Sequence, residues 1–373
     1  MENICGNNDS GHKTLNNSSI STTTSTHSQP VNFHDSNFSD SNNSITISNS
    51  NISLKTSSNA KSNVKSESFK QYPSFISTII YYISETIFKD ILFNKNKIIQ
   101  KLLKKDHEEY KPFCLFYIAL KNIEKKDFNE YRELVYEIDK KFCDIKTSYK
   151  NDTELLKYNR FIFEHILFNN IKKIACKKRG ITEYNPIVIE DKSEDKIVKK
   201  YQEKESEIFE EINELLALFY TKHIKCLSSD NYKIVYKFVI HFIIEESPID
   251  DKLTTLEDYF NNYLLKRKEK IYSFPTILRF LFETKNDNIK YNVKYGNEIW
   301  LPLYNGEKVG FILDAIIYEN DDEYNIRVNE SSYEKHWKIF DNKNINDIIL
   351  SYDLYKPIML FYKKIEKKLM NKK

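Results

Sequence analysis

The chain has 373 residues, 40% hydrophobic and 14% aromatic, with only 6 Gly and 8 Pro. That is enough apolar material for one large domain or two smaller ones, built from long regular elements with few tight turns. Its 57 basic and 54 acidic residues leave a formal net charge of +3, too balanced to supply the field of a nucleic-acid-binding surface.

Residues 1–66 are dominated by Ser, Asn and Thr, as in "SISTTTSTHS" and "SDSNNSITISNSN". Such a segment cannot bury enough apolar surface to offset its ordering entropy, so it is expected to be a disordered tail, open to phosphorylation. Residues 1–20 are polar, and no signal peptide is expected there. The five cysteines (Cys5, Cys114, Cys143, Cys176, Cys226) include no C-x-x-C pair. This argues against a zinc ribbon or other metal site and for a reducing compartment, cytoplasmic or nuclear.

Between residues 70 and 222 the periodicity is helical. "FISTIIYYISETIFKDILF", "EYRELVYEIDKKF", "LLKYNRFIFEHILFNNIKKI" and "IFEEINELLALFYTKHI" all repeat apolar residues at three and four positions. The apolar run Phe75–Phe93 carries Glu85, Lys89 and Asp90, so it reads as a buried helix and not a membrane span. "YNPIVIEDKSEDKIVKKYQEKE" (residues 184–205) is highly charged and is expected to be an exposed insertion.

After Cys226 the pattern changes. "YKIVYKFVIHFII" is apolar over a strand length, and "TTLEDYFNNYLL" is a short helix capped by Thr254 or Thr255. The strands "FPTILRFLFET", "NIKYNVKYG", "VGFILDAIIYE", "DEYNIRVN" and "KHWKIFDN" follow. A helical "NINDIILSY" precedes a last strand, "KPIMLFYKK", and the basic "KKIEKKLMNKK" reads as a solvated helix end. The body is therefore α+β, helices first and an antiparallel sheet after. Its expected limits are residues 67–365 (67–222 mainly helical, 223–365 mainly β), with 366–373 as a basic tail.

Five of these stretches, in order, resemble the catalytic domain of the ubiquitin-specific proteases, papain-like cysteine enzymes with thumb, palm and fingers. "QYPSFISTIIYYISETIFKDILF" is similar to the family's Gly-Asn-Thr-Cys turn and following helix. Gln71-Tyr72-Pro73 then stand on Gly-Asn-Thr, Ser74 on the nucleophile, Ser77 on an Asn and Tyr81 on a Gln. "KYNRFIFEHILFNNI" resembles the Gln-Gln-Asp-Ala-x-Glu-Phe helix, with Asn159 on the Asp and Phe163 on the Phe. "LLALFYTKHIKCLSSDNYKIVYKFVIHFII" resembles the exit to the fingers, where Cys226 alone stands for the zinc-binding cysteines. "FPTILRFLFETKNDNIKYNVKYGNEIWLP" resembles the Leu-Pro-x-x-Leu…Arg-Phe region. The series "GFILDAIIYE", "DEYNIRV", "HWKIFDN", "PIMLFYKK" resembles the strands that carry the family's histidine and its Trp-x-x-Phe-Asp-Asp.

The resemblance implies a thiolate nucleophile, a His base, an orienting Asp and an oxyanion-holding Asn. On this chain those positions are Ser74, Glu323, Asp341 (retained, followed by Asn342) and Phe69. A serine hydroxyl needs a base near neutrality, and a Glu has a reference pKa of about 4.3. Loss of one oxyanion donor typically costs on the order of 10²–10³ in rate.

His336 is weighed as a relocated base and reads as solvent-facing. Cys114 reads as a buried core thiol. His165 and His223 read as helical and without a carboxylate or Cys partner. Trp337, Phe340 and Tyr362 read as palm core, and Tyr324 as a packing residue. The expected function is a catalytically inactive ubiquitin carboxyl-terminal hydrolase-like module, without cofactor. It would bind ubiquitin or another protein, with no role for nucleic acid or a membrane span. The alternative is a divergent active cysteine-type deubiquitinase.

Overall fold

The computed structural model describes residues 72–86, 111–145, 152–181, 189–205, 207–208, 210–228, 231–244, 254–284, 293–320, 323–329, 336–340, 345–349 and 357–365. Residues 1–71, the end of the Phe75–Phe93 run beyond Thr86, and the C-terminal residues 366–373 lie outside them.

The first described helix, α1 (Tyr72–Glu85), is buried from Phe75 to Ser84. It is covered by a helical hairpin, α2 (Lys111–Lys125) and α3 (Phe128–Ile145). Phe113, Phe116, Leu120 and Ile123 of α2, with Tyr131, Leu134, Ile138 and Phe142 of α3, form the inner stripes, at the three-to-four spacing that puts side chains on one helix face. The hairpin turns at Lys126, which takes the left-handed conformation (φ 58°). Its N–H donates to Ile123 O (3.0 Å) and the Asp127 N–H to Asn122 O (2.9 Å), the paired bonds of a Schellman ending. Asp127 then caps the next helix by accepting from the Glu130 N–H at 3.2 Å.

Helix α4 (Glu154–Arg160) runs on through a π-helical stretch (Phe161–Asn169) into α5 (Asn170–Lys178). After β1 (Glu190–Asp191) come α6 (Glu194–Glu205) and α7 (Glu210–Phe219).

The strands then form two main sheets. The smaller has the order β1-β3-β2-β6, with β2 (Thr221–Ser228), β3 (Asn231–Lys237) and β6 (Glu269–Ser273). The larger has the order β13-β12-β11-β10-β14-β7-β4. Its members are β4 (Ile240–Ile244), β7 (Ile277–Thr284), β10 (Lys308–Asn320), β11 (Glu323–Asn329), β12 (His336–Phe340), β13 (Ile345–Ile349) and β14 (Pro357–Lys364). β9 (Glu298–Pro302) also pairs with β10. Helix α8 (Leu256–Arg267) opens at Thr255, whose hydroxyl accepts from the Asp258 N–H, as expected for a cap. β5 (Thr254–Thr255) and β8 (Val293–Lys294) make a two-stranded ribbon beside it.

The larger sheet is covered on both faces. Ile277 and Leu281 of β7 join the core shared with α1, α2, α3 and α7, whereas Leu278, Phe280 and Phe282 join Leu256, Phe260 and Leu264 of α8. Burial on both faces is why this strand is an almost unbroken apolar run. At Gly310 of β10 an added Cβ would lie 2.9 Å from the Trp300 ring and from Ile365, so any other residue would have to displace those side chains. Trp337, Phe340 and Tyr362 are core, as expected.

The α+β order holds, with several corrections. Residues 184–205 are not simply an exposed insertion. Within them Ile189 and, on α6, Ile197, Val198 and Tyr201 pack with Ile224 and Ile234 of the smaller sheet, a separate small core. The helical half ends at Phe219, because Thr221, Lys222 and His223 already pair with β3. "YKIVYKFVIHFII" is two strands, broken at the bend Phe238–Val239 and belonging to different sheets. "NINDIILSY" contains the strand β13, which pairs with β12 from Phe340↔Ile345 outward; available strand partners override a short helical spacing. β14 ends with Lys363 and Lys364, as the strand "KPIMLFYKK" implies. β4 runs parallel to β7, because the chain between them crosses over through α8. Cys114 is half-buried, and the fully buried thiol among the described residues is Cys176.

Candidate functional site

α1 lies along β11 and β12, and the contact is aromatic. Phe75 meets Tyr324 edge-on at 5.4 Å between ring centroids, and Tyr81 stacks on Phe340 at 4.3 Å. Tyr131 closes on Phe340 from α3 at 6.2 Å. The hydroxyls of Ser77 and Tyr131 are 2.7 Å apart, and the Tyr131 hydroxyl is 2.8 Å from Ser77 O. Burial pushes the Tyr131 hydroxyl far above its usual range. Tyr324 is 4% exposed and is a packing residue, as its sequence context implies.

The positions drawn from the resemblance divide as follows. Ser74 falls in the first turn of α1, and its side chain lies outside the description. Glu323 is half-buried and opens β11 opposite Asn320 of β10. Their sequence neighbours Phe75 and Tyr324 touch, so the two stretches come together. Phe69, Asp341 and Asn342 lie outside the described residues. Neither α1 nor β11 contains a cysteine or histidine. His336 opens β12 and Phe340 closes it. Four strand steps of about 3.3 Å separate them by about 13 Å, so His336 sits at the opposite end of the strand from Phe340, the residue that precedes Asp341 in the chain. Asn159 and Phe163 are buried, and Asn159 donates to Leu155 O at 3.4 Å.

Three interior polar groupings were not anticipated from the sequence. The first corrects the assignment of His223, which lies in β2 with its Nδ1 3.0 Å from Glu269 Oε2 of β6. Lys237 Nζ is 2.6 Å from the same oxygen and donates to the Tyr263 hydroxyl at 3.0 Å. Burial alone would raise the Glu269 pKa, but His223 and Lys237 outweigh it and hold it at about 2. Burial, aided by Lys237, pushes His223 below its usual value, against the pull of Glu269. His165, in the π-helical stretch, is also pushed down by burial, followed by Lys173.

The second is Asp314. The β10–β14 register shifts between Leu313 and Ala315, which makes Asp314 a bulge residue, and a bulge re-aims its side chain. Here the carboxylate accepts from the Tyr82 hydroxyl of α1 at 2.7 Å. Burial raises the pKa of both groups. An acid set among apolar residues in "FILDAII" was the available sequence signal.

The third is Arg279, 1% exposed in β7. It donates to Phe219 O at 2.7 Å and to Phe238 O, and its guanidinium lies 4.0 Å from the Phe163 ring centroid. Burial pushes it down to about 9, which leaves it charged at neutral pH.

No group of three or more His, Cys, Asp or Glu among the described residues is arranged to hold a metal ion. No described helix is long and apolar enough to cross a membrane.

No protein-family model matches the chain, and no curated protein sequence does. Among solved structures the chain is similar to the SAGA DUB module of Ubp8, Sgf11, Sus1 and Sgf73. The identity is 11% and the TM-score 0.43, over 79% of this chain and 67% of that one. It is also similar to an essential yeast splicing factor at 15% identity and a TM-score of 0.29, over 51% of this chain and about half (52%) of that one. Likeness at this level assigns neither family nor activity.

Proposed function

We propose that the chain is a non-catalytic protein-binding module of the ubiquitin-specific-protease type, with ubiquitin as the first partner to test. Residues 67–365 form the module, with a helical thumb followed by a β palm and fingers. Residues 1–66 and 366–373 are its tails.

The observation that carries the reading is the Phe75–Tyr324 contact. It sets the first turn of α1 beside the start of β11, where the resemblance puts nucleophile and base, while β11 begins with Glu323. A serine and a carboxylate in place of a thiol and an imidazole do not make an activated nucleophile at neutral pH. Phe69 in the oxyanion position supplies no side-chain donor. The aromatic contacts of Phe75 with Tyr324 and of Tyr81 with Phe340 keep this corner packed, which supports a role for the surface rather than for catalysis.

The test is titration of isotope-labelled ubiquitin with the full chain, alongside incubation with ubiquitin vinyl sulfone. Shifts confined to one ubiquitin face, with no covalent adduct, are the expected result. An adduct would establish a reactive cysteine and overturn the non-catalytic reading. Neither shifts nor adduct would remove ubiquitin as the partner.

A further inference from the structure

The smaller and larger sheets are joined where β3 passes into β4 at Phe238–Val239 and where β6 passes into β7 at Phe274–Thr276, and α7 enters the smaller sheet at Tyr220, beside the end of β3. The β3–β4 crossing and the end of α7 meet at Arg279. Its Nη2 donates to the carbonyl of Phe219, the last residue of α7, and to the carbonyl of Phe238 in the bend. The Phe219 and Phe238 rings flank the guanidinium, with centroids 5.6 and 5.8 Å away, and Phe163 lies over it. The remaining crossing is tied to the same place by the Thr276 N–H, which donates to Ala217 O of α7 at 2.8 Å.

A buried arginine ordinarily answers a carboxylate. This one instead directs its charge at main-chain carbonyls and aromatic faces, one of those carbonyls at a helix C-terminus, where a positive charge is favoured. Its Nε and Nη1 make no hydrogen bond among the described residues. Main-chain carbonyls carry no sequence information, so what the guanidinium recognises is the relative position of the end of α7 and the β3–β4 bend.

We propose that Arg279 is the pin that fixes the smaller sheet against the larger one at the β3–β4 bend. The pin goes beyond the binding reading and does not depend on it, since its readout is backbone motion in the isolated protein. An apolar side chain of similar length keeps the volume and removes both donors. A lysine keeps the charge and presents it as a point, without the planar fork that reaches both carbonyls.

The test is amide hydrogen exchange on the full chain carrying Arg279→Met or Arg279→Lys. A bond from a charged donor is worth enough that its loss should speed local opening by about ten- to a hundredfold. In R279M that acceleration is expected at Tyr220–Lys222 and Val239–Ile240, with the β10–β11 and β10–β14 ladders unchanged. In R279K a smaller acceleration is expected at the same crossings. Faster exchange spread evenly over both sheets would make Arg279 a core-packing residue and overturn the pin, as would no change at the crossings. Should R279M fail to fold, R279K decides by the same two criteria.

Discussion

Phe75 and Tyr324, 249 positions apart in the chain, pack edge to face at 5.4 Å. The contact ties α1 to β11 and sets the residue before each ring, Ser74 and Glu323, at the same corner of the fold. Edge-to-face pairs are worth about 0.5–1.5 kcal/mol beyond the area they bury. A double-mutant cycle of Phe75→Leu and Tyr324→Leu, followed by denaturant unfolding, should return a coupling of that size. Additive effects would mean that the rings are merely neighbours in a common core.

If the same corner is the relic of a protease site, restoring its chemistry should restore some reactivity. Ser74→Cys alone should label slowly or not at all with ubiquitin vinyl sulfone, since no base stands at the start of β11. S74C/E323H should label faster by about 10²-fold or more, the usual contribution of a positioned base. Equal labelling of both variants would show that Glu323 does not occupy the base position.

The His223–Glu269–Lys237 cluster has a defined pH signature. Glu269 is held at about 2 in the folded protein against 4.5 for a free side chain. A depressed carboxylate contributes stability that is present above the unfolded pKa and fades as pH falls through the folded one. Wild-type stability should therefore fall between about pH 4.5 and 2, and Glu269→Gln should flatten that limb. At pH 7 the same variant should lose about 3 kcal/mol, because Lys237 and His223 lose their shared partner. His223, pushed down by burial, adds a loss of its own as pH falls below the unfolded histidine value. That part should survive in E269Q. An acid limb identical in the two proteins would show that Glu269 does not titrate with folding.

Lys126 and Lys268 both adopt the left-handed conformation, at φ 58° and 53°, and both end helices. For an L-residue with a Cβ this costs about 1 kcal/mol relative to glycine. Lys126→Gly and Lys268→Gly should each stabilise the protein by about 0.5–1 kcal/mol, read as a higher thermal midpoint. Lower midpoints would mean that the lysine side chains make contacts that outweigh the backbone strain.

Apolar runs long enough to be covered on both faces, such as "TILRFLFET" and "PIMLFYKK", announce their strands directly, and Thr255 announces its helix by cap chemistry alone. The short pieces do not. β13 carries Ile345, Ile348 and Ile349, a spacing that suits a helix equally well, and only the presence of β12 beside it decides the matter. Residues 184–205 look solvent-borne because charges outnumber apolar residues, yet Ile197, Val198 and Tyr201 suffice for a small core once a sheet is placed under them. His223 and Glu269 are 46 positions apart and meet only because β2 pairs with β6. A pairing of strands must be known before such a site can be foreseen.

The order in which the chain visits its two sheets has a consequence for dissection. β2 and β3 belong to the smaller sheet, β4 to the larger, β6 to the smaller again and β7 to the larger. No single cut removes the smaller sheet. Excising residues 221–237 leaves β6 without its neighbour, and excising 221–273 takes β4 and α8 with it. The two sheets are interlaced like alternate stitches of one thread, so a graft of this protein must carry both, and neither half can be lost by a simple deletion without unravelling the other.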